Sequence, residues 1–509
     1  MRIFRCIYAN TACLSLPGLT QKQKHMKINK SILSLAVLTA MLSCNSDDET
    51  TNDTGSNTSP IELKNYSITP ALIKNMPGFP SLQTFALFSS EDTFINTPGY
   101  VFGGSADGSG LFKNSDGTFT FLVNNEDNFA VSKITFDNHF KPVAGEYVLN
   151  SNGAGNRLCS ASLATPEIHG FGPLFLTAGE SGAESQIIGI TPFDTKANNS
   201  TPRPLAALGR WSSENAVPLP KTAYSGQTVI LIGDDDSGTY GGQFVMYKST
   251  TGDLNNGKVY VMKRTDENMV ERNMTEGNSY AVQFVEVPNA KTNTGDQNNI
   301  LSQTLKAIPF GRVEDIDYRK EAGKEREVYF NVTGQDNSGA NADYSRSKYG
   351  RVYKLVLDQN NPLAGQLTLV LDGDNRQGKA KKFQNVDNIC VTKNFVYLQE
   401  DSNGYGDETH DAYIYQYNIA TGELKEVFEL DHKRNDPTNK YLSASSALGS
   451  WEYGALVDVS DVIGIPDTFM LSIQTHSWKK DAFKGVDGGT VRPNENQGSQ
   501  VILIKGLPR

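Results

Sequence analysis

Apolar runs in this chain end, again and again, in carboxylates. "TFLVNNE" closes in Glu126, "LFLTAGE" in Glu180, "VILIGDD" in Asp234 and Asp235, and "FVYLQED" in Glu400 and Asp401. Clustered carboxylates each raise the cost of ionising the others. A multivalent cation removes that repulsion and takes carboxylates as hard oxygen ligands. Any one of these ends also reads as a solvated turn, since Asp and Gly are ordinary turn residues. The stretch "VILIGDDDSGTYGGQFVMYKST", residues 229–250, fits either reading by itself. Four ends with the same grammar point instead to one shared cation site.

Such a site needs elements that bring successive strand ends together. Strand-like runs recur along the chain, among them "TFTFLV", "PLFLTA", "KVYVMK", "EVYFNV", "RVYKLVL", "YIYQYNI" and "QVILIKG". Gly, Asn and Asp turns separate them, and no long segment repeats an apolar residue at helical spacing. The expectation is an all-β chain, a propeller or a large sandwich, with residues 62–509 as one domain. A propeller of six blades with inserted loops is the arrangement in which strand-end acids converge on one channel mouth. No strict repeat of blade length is present. The polar insertions 265–300 and 333–348 read as surface loops.

The first 61 residues follow a different logic. From Met26, "MKINKSILSLAVLTAMLSC" has a lysine-bearing start, an apolar run and small residues before Cys44, the pattern of a bacterial lipoprotein signal. Residues 1–43 read as signal peptide, the first 25 of them as an upstream start that does not belong to it. Residues 44–61 read as a disordered acidic tether. Its "SDDE" resembles the surface-export signal of Bacteroidetes lipoproteins, which places the protein on the outer membrane through a lipidated Cys44. No later segment is long and apolar enough to span a membrane.

The whole chain carries 47 Lys and Arg against 57 Asp and Glu, and residues 1–43 hold six of the bases and none of the acids. The mature charge is therefore 41 − 57 = −16. That balance excludes a nucleic-acid partner and suits a protein that holds cations. Beyond Cys44 only Cys159 and Cys390 remain, a pair that could form one disulfide outside the cytoplasm. Absent are a G-x-S-x-G elbow, a phosphate-binding Walker loop and a dinucleotide fingerprint, which argues against those chemistries. His410 and His476 stand alone, without zinc-ligand spacing.

In their order along the chain, several segments resemble the PhoX-type alkaline phosphatases. They are "GYVFGGSADGSGLFKNSDGTFTFLVNNE", "NRLCSASLATPEIHGFGPLFLTAGES", "GRWSSENA", "FGRVEDIDY" and "FQNVDNICV", followed by "WEYGALVDVSDVIG" and "GSQVILIKG". The resemblance implies a β-propeller whose central funnel holds calcium and iron, and hydrolysis of phosphate esters outside the cytoplasm. It makes Cys159 the thiolate ligand of an iron and Glu180 and Glu214 carboxylate ligands. Glu126 falls on the acid that closes the family's opening strand. Arg312 and Glu314 flank the bound phosphate, Glu314 also as a metal ligand, and Asp234, Asp235 and Asp387 are further acidic ligands or groups that support them. The chain departs from the family pattern at Ala178 and Gly179, where a second cysteine is usual. It departs again at Ser213 in place of a histidine and at Val313 in place of a proline.

Each assignment has a plainer counterpart. Cys159 could be a buried small hydrophobe, Cys390 is most simply core, and Arg312 could be a structural partner of Glu314. Asp387 and Asn388 could cap a turn. As an enzyme, the protein is expected to act as a monomer on phosphate esters. As a binding module, it is expected to be a calcium-stabilised propeller for a phosphorylated or glycan ligand. A phytase-like or lactonase-like hydrolase on the same architecture is a third reading.

Overall fold

The structure is a computed structural model and describes residues 61–338 and 342–509. The signal peptide, Cys44 and nearly all of the tether lie outside the described residues. The chain is built almost wholly of antiparallel strands arranged as a β-propeller. The runs quoted above all fall in strands, and the reason is burial. Val229 to Ile232 lie at 1% exposure or less and Phe330 at 0%, packed between neighbouring sheets where β-branched and aromatic side chains fit best.

Six innermost strands, Ala106–Lys113, Leu158–Ala164, Ser213–Pro218, Val313–Tyr318, Val386–Val391 and Glu452–Asp458, lie side by side in that order, and the last closes on the first. Each begins a meander running outward from the axis. The meanders fall into five hydrogen-bonded sheets, not six separate ones. The difference arises at Ser279–Glu286, which pairs with Lys258–Arg264 on one side and Ala364–Asp372 on the other, fusing two meanders into a nine-stranded sheet. The ring is closed by the two ends of the described chain, where Gln83–Ser89 pairs with Gln497–Lys505, Gln83 opposite Lys505.

The segment 265–300 is therefore more than a surface loop. It holds that bridging strand and the start of a helix, Gly295–Thr304. Thr294 and Gln297 form a capping box there, each side chain accepting the other's backbone N–H. The described part of 333–348 has no strand or helix, but it is anchored. Arg346 donates to Gly238 O at 2.7 Å and Thr239 O at 2.9 Å, pinning the glycine turn that follows the aspartate run. Among the described residues no helix is long and apolar enough to cross a membrane.

Candidate metal centre

The inner strands share one local device. In every one the pairing with the next strand shifts by a residue close to its start, between Ala106 and Ser109, Leu158 and Ala161, Ser213 and Ala216, Val313 and Ile316, Val386 and Ile389, and Tyr453 and Leu456. A β-bulge re-aims the side chain it contains. The residue that opens the bulge is Asp107, Cys159, Glu214, Glu314 and Asp387 in the first five strands. In the sixth it is Gly454, where a Cβ would lie 2.5 Å from the carbonyl of Ala106. The acid of that strand is instead Glu452, two residues earlier.

The second strand of four of the six meanders supplies the next ring. Asn125, Gly179, Asp234 and Glu400 pair with the residue just before the bulge, and the residues that follow them are Glu126, Glu180, Asp235 and Asp401. Successive side chains on a strand point to opposite sides, so the two acids of a doublet part: Asp401 lines the central cavity, while Asp235 turns to Arg312 and does not line it. Asp234 points to the opposite side. It is 1% exposed and accepts the backbone N–H of Ser212 at 3.0 Å and of Gln243 at 3.1 Å, so it ties strands together and lies outside the central cavity. Glu400 behaves alike, accepting from Tyr415 Oη at 3.0 Å and the amide of Gln384 at 2.7 Å, with His410 Nε2 at 3.0 Å.

The inward side chains line one cavity of about 300 Å³ at the channel mouth. It brings together Glu126, Cys159, Glu180, Glu214, Arg312, Glu314 and Asp387 from the sequence reading. The strand-end Asp401 joins them as expected, and the cavity adds Asp107, Asp127 and Glu452, together with Arg157, Arg492 and His476. Within it, four overlapping groups offer ligand atoms within 4.8 Å of one another: Asp107, Cys159 and Glu214; Glu126, Cys159 and Glu180; Glu214, Glu314 and Asp387; Asp387, Asp401 and Glu452. Asp107 had a sequence signal, since it holds the same place in its strand as Glu214 and Glu314, but "SADGSG" reads as a turn. His476, set aside as isolated, places Nε2 3.0 Å from Glu452 Oε1. Its segment, "LSIQTHSW", resembles the family's closing blade, but the resemblance assigns the histidine no role.

Burial, and then neighbouring acids, push up Glu180, Glu214, Asp387 and Glu452. Glu214 rises well above the ordinary carboxylate range through burial and then Glu314 and Asp387. Asp387 does so through burial and then Asp401, and Glu452 through burial and then Asp401. Glu180 is pushed up to about 8 by burial, Asp235 and Glu126, with Arg157 opposing. Cys159 donates its Sγ–H to Glu180 Oε2 at 2.8 Å, and its thiol is held well up by burial and the surrounding acids. Asp387 Oδ1 is buried with no hydrogen-bond partner among the described residues. Carboxylate oxygens in excess, one thiol and an unpartnered acceptor are a donor set that fits more than one multivalent cation. Cys159 and Cys390 are both free and buried, so the disulfide does not form. Cys390 sits beyond the bulge of its strand at 5% exposure, in the core.

Arg312 enters its inner strand with φ +70°, a left-handed backbone that a non-glycine residue adopts only at a cost. Its Nε and Nη2 donate to Asp235 Oδ1 and Oδ2 at 2.6 and 3.1 Å, its Nη1 to Asn403 Oδ1, and its Nη2 lies 2.9 Å from Glu314 Oε1. Burial works against its charge, but Asp235 and Glu314 outweigh that and hold it firmly protonated. Asp235 therefore serves this arginine directly.

Fold and cavity together define a β-propeller with an acidic, thiol-bearing centre at one mouth of its channel. A model of the family described as alkaline phosphatase PhoX matches residues 187–444, just over half of the chain. The chain belongs to the alkaline phosphatase PhoX family. Among solved structures it is similar to Pseudomonas fluorescens PhoX in complex with vanadate, a transition state analogue, at 15% identity and a TM-score of 0.58, covering 87% of this chain and 98% of that one. An α-L-arabinofuranosidase of Fusarium graminearum matches at 12% identity and TM-score 0.38, covering 79% of this chain and 93% of that one. A Penicillium chrysogenum α-L-arabinanase matches at 13% and 0.38, covering 83% and 98%. No curated protein matches the chain.

Proposed function

We propose that the protein is an exported, lipid-anchored phosphatase that hydrolyses phosphate esters with metal ions held at the channel mouth. The observation that carries this reading is the set of four overlapping ligand groups, Cys159 among them, in one cavity with an immobilised arginine. Phosphoryl transfer is mainly positioning and charge stabilisation. Calcium held by the carboxylates, and iron bound through Cys159, which two of the ligand groups share, would offset phosphate charge. Asp107, Glu214 and Glu314 hold their oxygens in place through the strand bulges. Arg312, fixed by Asp235 and Asn403, presents a permanently charged planar donor to the phosphoryl oxygens. Glu314 beside it shares both tasks.

The anchor is Cys44, on the outer membrane, and the catalytic unit is a monomer that contacts no nucleic acid. The deciding experiment is metal analysis of the purified protein, with p-nitrophenyl phosphate turnover before and after chelation. Calcium and iron in the protein, and turnover lost on chelation and restored on adding them back, are expected. A calcium-bearing protein with no turnover when both metals are supplied would make it the binding module instead.

A further inference from the structure

Glu271 lies in the polar segment that leads into the bridging strand Ser279–Glu286, on the short 3₁₀ helix Glu271–Asn273, and it is 0% exposed. A carboxylate buried that deeply has to be matched by donors. Its Oε2 accepts two backbone amides, those of Gly311 and Ser347, each at 3.0 Å. Its Oε1 accepts the Tyr353 hydroxyl at 3.1 Å. Arg351, ion-paired with Asp372 at 3.1 Å, donates to the backbone carbonyl of Glu271 at 3.0 Å and brings a balancing charge.

Both amides matter by their position. Gly311 precedes Arg312, whose φ of +70° persists only where the surroundings over-determine it. The backbone there is fastened from several sides: Phe310 N donates to Gly242 O at 3.0 Å, Gly334 N to Gly311 O at 2.8 Å and Thr333 N to Arg312 O at 3.1 Å. These are main-chain contacts, whereas the bond from Gly311 N ends on a side chain, that of Glu271. A Cβ added at Gly311 would lie 3.1 Å from Ser347 O, which is how closely the two segments meet. Ser347 in turn follows Arg346, whose guanidinium holds the turn after Asp235 through Gly238 O and Thr239 O. One carboxylate oxygen thus joins the chain that carries Arg312 to the loop that holds the turn after its partner Asp235.

We propose that Glu271 is a positioning residue for Arg312, holding the left-handed backbone that aims the guanidinium at the metal centre. The inference rests on the phosphatase reading, which gives Arg312 its task. The test follows p-nitrophenyl phosphate turnover, metal content and, by calorimetry, vanadate binding in the metal-loaded protein. Glu271→Ala should lower kcat by about 10²-fold and weaken vanadate in step, with metal content retained. Glu271→Gln, whose carbonyl oxygen can face both amides while its NH₂ meets Tyr353 Oη, should recover most of that loss. In the Arg312→Lys background Glu271→Ala should cost little more, because both changes act on one guanidinium. Where Glu271→Ala does not fold, Glu271→Asp, which draws the oxygen back by one methylene, takes its place in the same cycle. A loss as large without Arg312 as with it would overturn the proposal. So would wild-type kcat and vanadate affinity in both the Ala and the Asp variant. A wild-type chain that binds vanadate but hydrolyses no ester fails the phosphatase reading instead, and the vanadate cycle then decides the role of Glu271. One that does neither removes both.

Discussion

Asp235 grips Arg312 with both carboxylate oxygens across 77 residues of sequence, Nε at 2.6 Å and Nη2 at 3.1 Å. The third aspartate of the run, Asp236, takes no part in this and caps its own turn through the amide of Gly238 at 2.6 Å. The aspartate run thus divides into three tasks: Asp234 ties strands, Asp235 aims an arginine, and Asp236 shapes a loop.

Arg312→Lys keeps the charge and loses the fork that fits both Asp235 and a phosphoryl group. Turnover of p-nitrophenyl phosphate should fall by about 10²–10³ in kcat, with metal content preserved. Wild-type turnover would remove Arg312 from the mechanism.

Asp235→Asn leaves Arg312 present but weakly held. A misplaced group costs about 10²-fold, so kcat should fall toward that of Arg312→Lys, and inhibition by vanadate should weaken in step. Combining the two substitutions should cost little more than either alone, because both act on one guanidinium. Additive losses would show that they act separately.

Metal removal should make stability depend on pH with a defined sign. The folded-state pKa of Glu180 is about 8 against an ordinary 4.5, so its contribution is complete below 4.5 and is lost as pH rises through 8. The chelated protein should therefore melt at a lower temperature at pH 8.5 than at pH 6.5. Metals held by the ionised carboxylates should cancel or reverse that slope. Staying above pH 6.5 keeps out His169 and His432, which burial lowers to about 4 and which cost stability only on acidification. Calorimetry with and without chelator reads the difference; identical slopes would rule out cations at this centre.

Cys159→Ser replaces a soft donor with a hard one in the two ligand groups that contain it. Iron content should drop while calcium is retained, and turnover should drop with the iron. Unchanged iron would return Cys159 to the core.

Cys44→Ala should release the protein from the membrane fraction into a soluble one with turnover intact. Continued membrane retention would count against the lipid anchor.

What could be read directly from the chain is the set of outer and middle strands. The middle ones are buried on both faces and spell themselves out as apolar runs such as "TVILIG" and "EVYFNV", while outer ones such as Ser279–Glu286 are half-exposed and alternate. The inner strands could not be found that way. "ADGSGLFK", "SENAVP" and "VDNICV" place small or polar residues near their starts because their bulged ends crowd the axis and carry the acids. The motifs holding Cys159, Glu214, Glu314 and Asp387 were nevertheless legible as a resemblance, in order. Tertiary structure decided the rest. The choice between Asp234 and Asp235 depends on register, since a shift of one residue turns a side chain to the opposite side, and register is set by the partner strand. Asp107, Glu452 and His476 join the centre only when Glu452–Asp458 closes beside Ala106–Lys113, a contact between strands some 340 positions apart. Strand pairing across such distances leaves no periodic mark in the sequence, so convergence on one axis is a property of the closed ring alone.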